Sequence, residues 1–422
     1  MRAVFTTAIR YKVNAVCETP LRTGGAAGNT ESVLRDSFGN AFLQGSSLAG
    51  ALRSWLENNG EQKTAKALFG SQEHEGRLIV SDAVLRADAE QAIRPRLRID
   101  EKNGTAADKG KFDVAHIVSG SQLDFELTWL GNGQDDEEIM TVERMLGAFN
   151  SGEIRLGAQK SNGFGRLTLC VRKRSYDLMN EADRAAWIQD RDDGDEIKLP
   201  ENVTDRRVTF VLEGIADSVL IRASAPVYEG DQSYTVNIEE NGHPILPGSS
   251  IKGALRAQCM RIVQSAGVRE SLVNDLFGRG AQDGDNGRAG VICVDDVRMN
   301  DVKKQRIRRI RINRFTGGVI RGGLFAEEPL SGAVQMTISV KEEQDALCAL
   351  LVYALRDLGL GLCNLGSDGA IGRGYIAVKR ILIRTPGGRK AEISFDQNHT
   401  MSMRDTDGLL DKWQKAWKEC MV

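Results

Sequence analysis

The sequence contains no long apolar segment. No stretch approaches the length of about 18 uninterrupted apolar residues that a bilayer-spanning helix needs. The N-terminal segment MRAVFTTAIRYKVNAV alternates polar and apolar side chains and does not form the apolar centre of a signal peptide. We therefore expect a cytoplasmic protein that has no membrane partner.

Cysteine and histidine are scarce and scattered. The seven cysteines never occur as C-x-x-C, and their odd number leaves no complete disulfide framework. None of the four histidines stands at metal-ligand spacing from another. The sequence therefore predicts reduced cysteines in apolar surroundings and disfavours a histidine-based metal site or a Ser-His-Asp triad.

The chain also lacks an excess of one charge. Its 56 lysine and arginine residues and 58 aspartate and glutamate residues give a net charge of −2. Any contact with nucleic acid must therefore come from local basic patches. The 422 residues, at about 150 residues per domain, predict two or three domains.

Five sequence blocks occur twice in the same order, which indicates an internal duplication. The clearest pair is GSSLAGALRSW at 45–55 and GSSIKGALRAQ at 248–258. The other pairs are LFG at 68–70 and 276–278, RLIVSDAVL at 77–85 and AGVICVDDVRM at 289–299 with Asp82 over Asp295, LRIDEKNGT at 97–105 and IRINRFTGG at 310–318, and LGAQKSNGFGRLTL at 156–169 and LGSDGAIGRGYIAV at 365–378. We predict homologous domains at 1–172 and 206–384, a linker at 173–205 with a helix near 181–189, and a C-terminal tail at 385–422 that ends in a short helix.

Hydrophobic periodicity has the order β-α-β-β-α-β in each copy. The predicted strands are 4–17, 77–85, 121–130, 164–172, 207–223, 290–298, 333–341 and 373–384, and the predicted helices are 46–58, 137–149, 249–265 and 343–358. This pattern predicts an α+β fold of two tandem ferredoxin-like (RRM-like) domains, each with an antiparallel sheet covered by helices on one face. The open face of such a sheet commonly receives single-stranded RNA.

The repeated GSS motif stands at the start of a predicted helix. Ser46 or Ser47, and Ser249 or Ser250, are predicted to cap the first free backbone amides. One interpretation is a capped helix and nothing more. The other is a phosphate seat at the helix start, reinforced by the nearby cations Arg53, Lys252 and Arg256.

The glycine-rich segments at 156–166 and 365–375 follow a helix and precede a strand. A P-loop or a dinucleotide fingerprint runs from strand to helix, so ATP and NAD are disfavoured. We predict a connection in which backbone approaches a ligand closely, with charge from Lys160, Arg166 and Arg373. The alternative is a plain glycine turn into the strand.

The segment KKQRIRRIRINR at 303–314 is the strongest local concentration of positive charge. As a strand it would present part of this set on one face as a phosphate-tracking stripe, with RNA contacts from Arg308, Arg309, Arg311 and Arg314. A solvated edge strand protected by cations is the alternative. The glycine-rich segment 316–332 is typical of a protruding loop with an apolar tip.

These motifs, taken in order, resemble the repeat-associated mysterious protein (RAMP) superfamily of CRISPR effector subunits. The segments 22–53 and 225–256 are similar to a pattern of the type III backbone subunits that ends in P-G-S-S-L-K-G-x-x-R. The resemblance implies a cytoplasmic subunit of an antiviral ribonucleoprotein, with inserted thumb-like loops, whose partners are CRISPR RNA, target RNA and other effector subunits.

The resemblance also implies a possible catalytic position. Some members cut the paired target RNA with a loop aspartate and a divalent metal, but Thr30 and Ser233 occupy the matching positions here. The displaced carboxylates Asp231 and Glu31 are the catalytic candidates, with Asp231 as the ligand of Mg²⁺ or Mn²⁺. Binding itself requires no cofactor.

Two other functions remain open at this point. One is a RAMP endoribonuclease that processes CRISPR precursor RNA, which the shortage of histidines weakens. The other is a non-catalytic assembly adaptor whose basic stripe binds an acidic protein partner.

Overall fold

The computed structural model describes residues 5–24, 32–100, 105–133, 135–190, 194–201, 206–223, 225–230, 232–280 and 286–421. The chain divides into two compact units. Unit 1 comprises Met1–Ile93, Asp113–Lys160 and Phe164–Asp205, and unit 2 comprises Arg94–Phe112, Ser161–Gly163 and Arg206–Val422. No helix in the described ranges is long and apolar enough to cross a membrane.

The first half of the chain contains four α-helices and nine strands within the described residues. In chain order they are β1 (Thr7–Cys17), β2 (Phe42–Leu43), α1 (Gly45–Asn58), α2 (Gln62–Phe69), β3 (Leu78–Val80), β4 (Ala83–Leu85), β5 (Gln91–Ile99), β6 (Ala106–Ile117), β7 (Gln122–Gly131), α3 (Asp136–Asn150), β8 (Leu167–Asp177), α4 (Glu181–Ile188) and β9 (Asp195–Ile197).

The sheet of unit 1 is antiparallel, in the order β2-β4-β7-β1-β8-β9, and β3 also pairs with β7. Alternate residues of β1 are buried in the core with the apolar faces of α1 and α3. Leu48, Leu52 and Leu56 of α1 are completely buried, and truncating any one to alanine should cost roughly 2–5 kcal/mol. On the other face of the sheet, Arg10 stacks on Trp187 of α4, so that face is partly covered.

The second half contains four α-helices and sixteen strands in its described residues. They are β10 (Val208–Val219), β11 (Val227–Glu229), β12 (Gln232–Tyr234), β13 (Glu239–Glu240), β14 (His243–Leu246), α5 (Gly248–Ala266), α6 (Ser271–Phe277), β15 (Gly278–Arg279), β16 (Arg288–Ala289), β17 (Ile292–Val294), β18 (Val297–Arg298), β19 (Asn300–Lys304), β20 (Ile307–Ile312), β21 (Val319–Glu327), β22 (Leu330–Val340), α7 (Asp345–Gly359), β23 (Tyr375–Arg384), β24 (Lys390–Phe395), β25 (Met401–Arg404) and α8 (Leu409–Glu419).

The sheet of unit 2 is also antiparallel, in the order β17-β22-β10-β23-β24-β25, and β19 pairs with β22. Leu255 and Cys259 of α5 and Leu351 of α7 are completely buried in the same core as alternate residues of β10. Trp413 and Trp417 fix α8 in this core. The helix predicted at the end of the tail is thereby confirmed.

Prediction and structure agree on an α+β fold with antiparallel sheets. The predicted helices are confirmed as α1, α3, α5 and α7, and the linker helix is confirmed as α4. The predicted strands are present, but 77–85 and 290–298 are each interrupted, giving β3 and β4, and β17 and β18. The short helices α2 and α6, the hairpin of β5 and β6, and the strands β24 and β25 were not predicted. The prediction of a loop at 316–332 is wrong for most of that range, which forms the strand β21 because it pairs with β20.

Candidate nucleic-acid interface

The serines of the GSS motifs do not cap their helices, so that prediction is wrong. The capping positions are held by Gln44 before α1 and Pro247 before α5, and neither side chain makes a capping hydrogen bond. The four serines Ser46, Ser47, Ser249 and Ser250 lie inside the first turn instead. The reason is that each helix begins at the glycine of the motif, one residue earlier than expected.

An aspartate from the interrupted strand pair binds the start of each helix. Asp82, between β3 and β4, accepts a hydrogen bond from the Gly45 amide at 2.7 Å. Asp296, between β17 and β18, accepts one from the Gly248 amide at the same distance. Asp82 is therefore equivalent to Asp296 and not, as the sequence alignment suggested, to Asp295. Each carboxylate lies at the positive end of its helix dipole, where a negative charge is stabilising.

Each aspartate takes up one of the backbone amides at the helix start that were predicted to bind phosphate. The amides of Ser47 and Ser250 bind the carbonyl oxygens of Gln44 and Pro247. The Ser46 and Ser249 amides are left without a partner in the described part of the chain. Each helix start therefore retains one backbone donor, next to serine hydroxyls that are exposed or partly exposed.

Lys252 follows the second GSS motif and is half-buried. Burial lowers its pKa to about 8, because desolvation penalises the ammonium, and Arg256 and Arg96 add repulsion while Cys293 opposes the shift. It makes no ion pair within the described residues. A bound phosphate would be the negatively charged partner that Lys252 lacks among the described residues.

Arg53 and Arg256 make equivalent hydrogen bonds, each to the end of the helix that follows its own. Arg53 donates to the carbonyl of Gly70 at 3.3 Å, at the end of α2. Arg256 donates to the carbonyl of Gly278 at 2.6 Å, at the end of α6. Contacts of these arginines with RNA would have to form in addition to these hydrogen bonds, and they stay predictions.

The glycine-rich segments approach the chain's own backbone. Gly165 and Gly374 have φ of +83° and +75°, and a Cβ on either would lie 2.0 Å from the carbonyl oxygen of Leu156 or Leu365. In the first segment Lys160 is exposed, and Arg166 forms an ion pair with Glu18 at 2.5 Å. The alternative of a structural glycine turn therefore accounts for these glycines, while the RNA contacts of Lys160 and Arg166 stay predictions.

Arg373 belongs to a buried ion network in unit 2. It is only 5% exposed, and its Nη2 lies 3.0 Å from Oε2 of Glu327 on β21. Arg309 on β20 reaches the same oxygen at 2.5 Å, and Arg222 lies 3.2 Å from Asp368 of the glycine-rich segment. The predicted RNA contacts of Arg309 and Arg373 would require these ion pairs to open.

The basic segment 303–314 is confirmed as a strand in its central part, where β20 pairs with β21 to form a hairpin. The cations are not one continuous stripe, because alternate side chains of a strand face opposite ways. Lys304, Arg306 and Arg309 are held by Glu239, Glu229 and Glu327. The exposed cations without a partner in the described residues are Lys303, Arg308, Arg311 and Arg314.

The catalytic candidates Glu31 and Asp231 lie outside the described residues, as does Thr30. Within the described ranges, no three histidine, cysteine, aspartate or glutamate side chains are placed to hold a metal ion. The expected Mg²⁺ or Mn²⁺ ligand is therefore not tested by the described geometry.

The sequence did not reveal which acids bind the helix starts and the basic hairpin. Asp82 was recognised as a repeat position, but it was aligned with Asp295 and not with Asp296. The location of Asp82 and Asp296 between two short apolar runs was the available signal for a helix-binding role. Glu327 gave no such signal, because its partners Arg309 and Arg373 come from distant parts of the chain.

Comparisons with known proteins agree with the repeated pattern. The family model described as the RAMP superfamily matches the chain twice, at residues 14–168 and 229–377. The CRISPR system Cms endoribonuclease Csm3 of Methanocaldococcus jannaschii is 26% identical over 201 residues, covering 38% of this chain and 80% of that protein. With its two matched segments covering most of its length, the chain belongs to the RAMP superfamily.

Proposed function

We propose that this chain is an RNA-binding backbone subunit of a type III CRISPR effector ribonucleoprotein that holds CRISPR RNA. The observation that carries the proposal is a group of exposed cations without a partner among the described residues, on and next to the β20–β21 hairpin of a RAMP-superfamily chain: Lys303, Arg308, Arg311 and Arg314. Such cations bind phosphates without regard to base sequence. The similar Csm3 is named as part of a CRISPR system, which supports the same assignment.

The sheet topology supports a tandem of two ferredoxin-like domains. The central order β8-β1-β7-β4 in unit 1 has its counterpart in β23-β10-β22-β17 of unit 2. In both, the first and third strands of the β-α-β-β-α-β series lie side by side at the centre. The proposed domains are 1–172 and 206–384, with thumb-like hairpins formed by β5 and β6 and by β20 and β21.

Guide binding would combine backbone amides with cations. The Ser46 and Ser249 amides, which have no partner among the residues that the structure describes, lie at helix starts, where the helix dipole favours a phosphate. Lys252 adds a cation one turn further along α5. We propose CRISPR RNA, a paired target RNA and other effector subunits as partners, in the cytoplasm.

Cleavage of the paired target RNA is the second part of the proposal, and the name endoribonuclease of the similar Csm3 favours it. The 2′-hydroxyl of the target attacks the adjacent phosphorus, and the 5′-oxygen of the next nucleotide leaves. Asp231 accepts the proton of that hydroxyl or holds a divalent metal, Mg²⁺ or Mn²⁺, that would supply charge stabilisation. Glu31 is the weaker candidate in the first repeat.

Titration with two single-stranded RNAs of unrelated sequence and equal length tests the binding proposal. We expect affinities within a few-fold of each other and a steep loss of affinity with added salt, because phosphates carry the interaction. Fluorescence anisotropy with nuclease-treated protein measures both quantities. An adaptor for acidic proteins would show no RNA binding above that of an acidic control protein, and this result would reject the proposal.

Lys252 is expected to make the affinity for RNA depend on pH. Its ammonium form binds phosphate and is lost as the pH rises through about 8, so affinity should fall by up to tenfold per pH unit above that value. Anisotropy titrations from about pH 7 to about pH 9.5 measure the slope. Lys252→Arg, which stays charged, should remove this dependence. An unchanged slope in that variant would exclude Lys252 as its source.

A further inference from the structure

A cavity of about 380 Å³ lies between α5 and α7 of unit 2. Its polar lining comes from one face of α5 and the last turn of α7: Gln258, Arg261, Ser265, Arg356 and Asp357. The remaining lining is apolar. Sites for small molecules typically have volumes of about 300–1,000 Å³ and a few polar groups that orient the ligand. The cavity therefore has the size and the polarity of a small-molecule site.

Two of these polar side chains are buried. Gln258 is 6% exposed and Asp357 is 4% exposed. Nε2 of Gln258 donates to Oδ2 of Asp357 at 2.7 Å, and this bond fixes which way the amide faces, because a carboxylate only accepts. Oε1 of Gln258 then accepts no hydrogen bond from any described residue. A buried acceptor without a donor lowers stability, so folding alone does not account for this group.

The first repeat has no such polar centre. The GSS motifs align Gln258 with Trp55, and the 15-residue helices α3 and α7, which both begin with aspartate, align Asp357 with Ala148. Trp55 and Ala148 both pack in the core of unit 1. Helix α5 is also longer than α1, with 19 residues against 14, and its additional residues include Ser265. The polar lining is therefore particular to the second repeat.

The cavity carries an excess of positive charge. Asp357 accepts hydrogen bonds from Nη2 and Nε of Arg356 at 2.6 and 3.0 Å, so its charge is compensated. Arg261 is exposed and has no ion pair in the described part of the chain. Two arginines thus face one aspartate, and an anionic ligand would compensate the guanidinium of Arg261.

The arrangement of donors favours a phosphate over a carboxylate. Arg261 and Arg356 belong to different helices, and Ser265 adds a hydroxyl. The three terminal oxygens of a phosphate monoester can accept from such separate donors at once, and arginine binds phosphate through charge-assisted hydrogen bonds. Oε1 of Gln258 lacks a donor, which the hydroxyl groups of a nucleoside can provide.

We propose that the cavity between α5 and α7 binds a nucleoside monophosphate, with its phosphate on Arg261 and Arg356 and a ribose hydroxyl as the donor to Gln258. The same phosphate monoester occurs in a free nucleotide and at the 5′ end of an RNA. The cavity shares no residue with the β20–β21 hairpin or with the helix starts, so the proposal is independent of guide binding.

Isothermal titration calorimetry on the full-length, nuclease-treated protein tests the cavity. Adenosine 5′-monophosphate should bind saturably, with a Kd below about 1 mM. Adenosine lacks the phosphate and should bind at least about tenfold more weakly. Absence of saturable binding of the monophosphate, or equal affinities for the two compounds, would overturn the proposal.

Two arginine variants separate the cavity from general charge. Arg261→Ala should weaken binding of the monophosphate at least about tenfold without changing the melting temperature, because Arg261 is exposed and makes no ion pair with the described residues. Arg269→Ala removes an exposed arginine outside the cavity that also lacks an ion pair there, and it should leave the affinity unchanged. Equal losses in both variants would attribute binding to net charge and reject the site.

A pair of RNAs distinguishes the two sources of the phosphate. The RNAs share one sequence and carry either a 5′-phosphate or a 5′-hydroxyl. If the RNA end enters the cavity, the phosphorylated RNA binds more tightly, and Arg261→Ala abolishes the difference. If the ligand is a free nucleotide, both RNAs bind equally while the monophosphate still requires Arg261. Failure of the guide-binding proposal would weaken both RNAs alike and leave the affinity for the monophosphate intact.

Discussion

Exchanging Lys303, Arg311 and Arg314 together for alanine is expected to weaken the binding of single-stranded RNA about a hundredfold. The three side chains are exposed, carry no ion pair within the described residues, and belong to the segment from β19 to the tip of the hairpin. At about 1 kcal/mol for each exposed phosphate contact, their loss removes about 3 kcal/mol of binding free energy. Arg308, the fourth cation of this group, is left unchanged, so that the variant removes three positive charges.

The salt dependence of binding identifies the lost interaction. Each phosphate contact with single-stranded nucleic acid contributes about −0.7 to the slope of log K against log salt concentration. Loss of three contacts should therefore reduce the magnitude of the slope by about 2. Anisotropy titrations at several salt concentrations measure the affinity and the slope on the same samples.

A matched control removes three other exposed lysines. Lys390, Lys415 and Lys418 lie on β24 and α8 and likewise have no ion pair in the described residues. Their exchange for alanine lowers the net charge equally, so it should leave the slope unchanged. Equal losses of affinity in both variants would show that net charge, and not the hairpin, attracts RNA.

Arg309 is kept out of this variant for a structural reason. Glu327 is buried and is held by Arg309 and Arg373. Removing one cation of this network would leave part of a buried carboxylate uncompensated, which is strongly destabilising. A loss of RNA binding after a change at Arg309 would therefore not separate a phosphate contact from damage to the hairpin.

The long elements of the fold could be predicted because each carries its own periodic pattern. The core face of α5 repeats through Ile251, Leu255, Cys259 and Val263, and β22 alternates buried and exposed residues along most of its length. The short helices α2 and α6 hold too few turns for such a pattern. In β5, Pro95 and the closely spaced arginines obscure the alternation of a strand.

The site could be predicted less fully, because pairing partners are far apart in the sequence. The cationic segment was evident, but which cations are free depends on Glu229, Glu239 and Glu327, contributed by other strands. The same limit applies to the helix starts. The serines gave the expected local signal, whereas the residue that binds the Gly45 amide is Asp82, which is 37 residues away.

Asp231→Ala is expected to abolish one dominant cut in a target RNA paired with the guide. The carboxylate would accept the proton of the attacking 2′-hydroxyl or hold the metal, and general acid–base contributions are typically 10²–10⁴-fold in rate. The cut assigned to Asp231 should therefore slow by about a hundredfold or more. A cleavage ladder in Mg²⁺ and in Mn²⁺, with the guide-loaded chain and end-labelled target, measures each position separately.

Three further variants separate catalysis from loss of charge. Asp231→Asn removes the proton acceptor with little change in size, so it should reproduce the defect without weakening RNA binding. Glu31→Ala should have the smaller effect, because Glu31 is the weaker candidate. Glu239→Ala removes a carboxylate that is already paired with Lys304 and should keep every cut. An Asp231→Ala ladder that retains every band in both metals would show that Asp231 has no catalytic role and that this chain holds RNA without cutting it there.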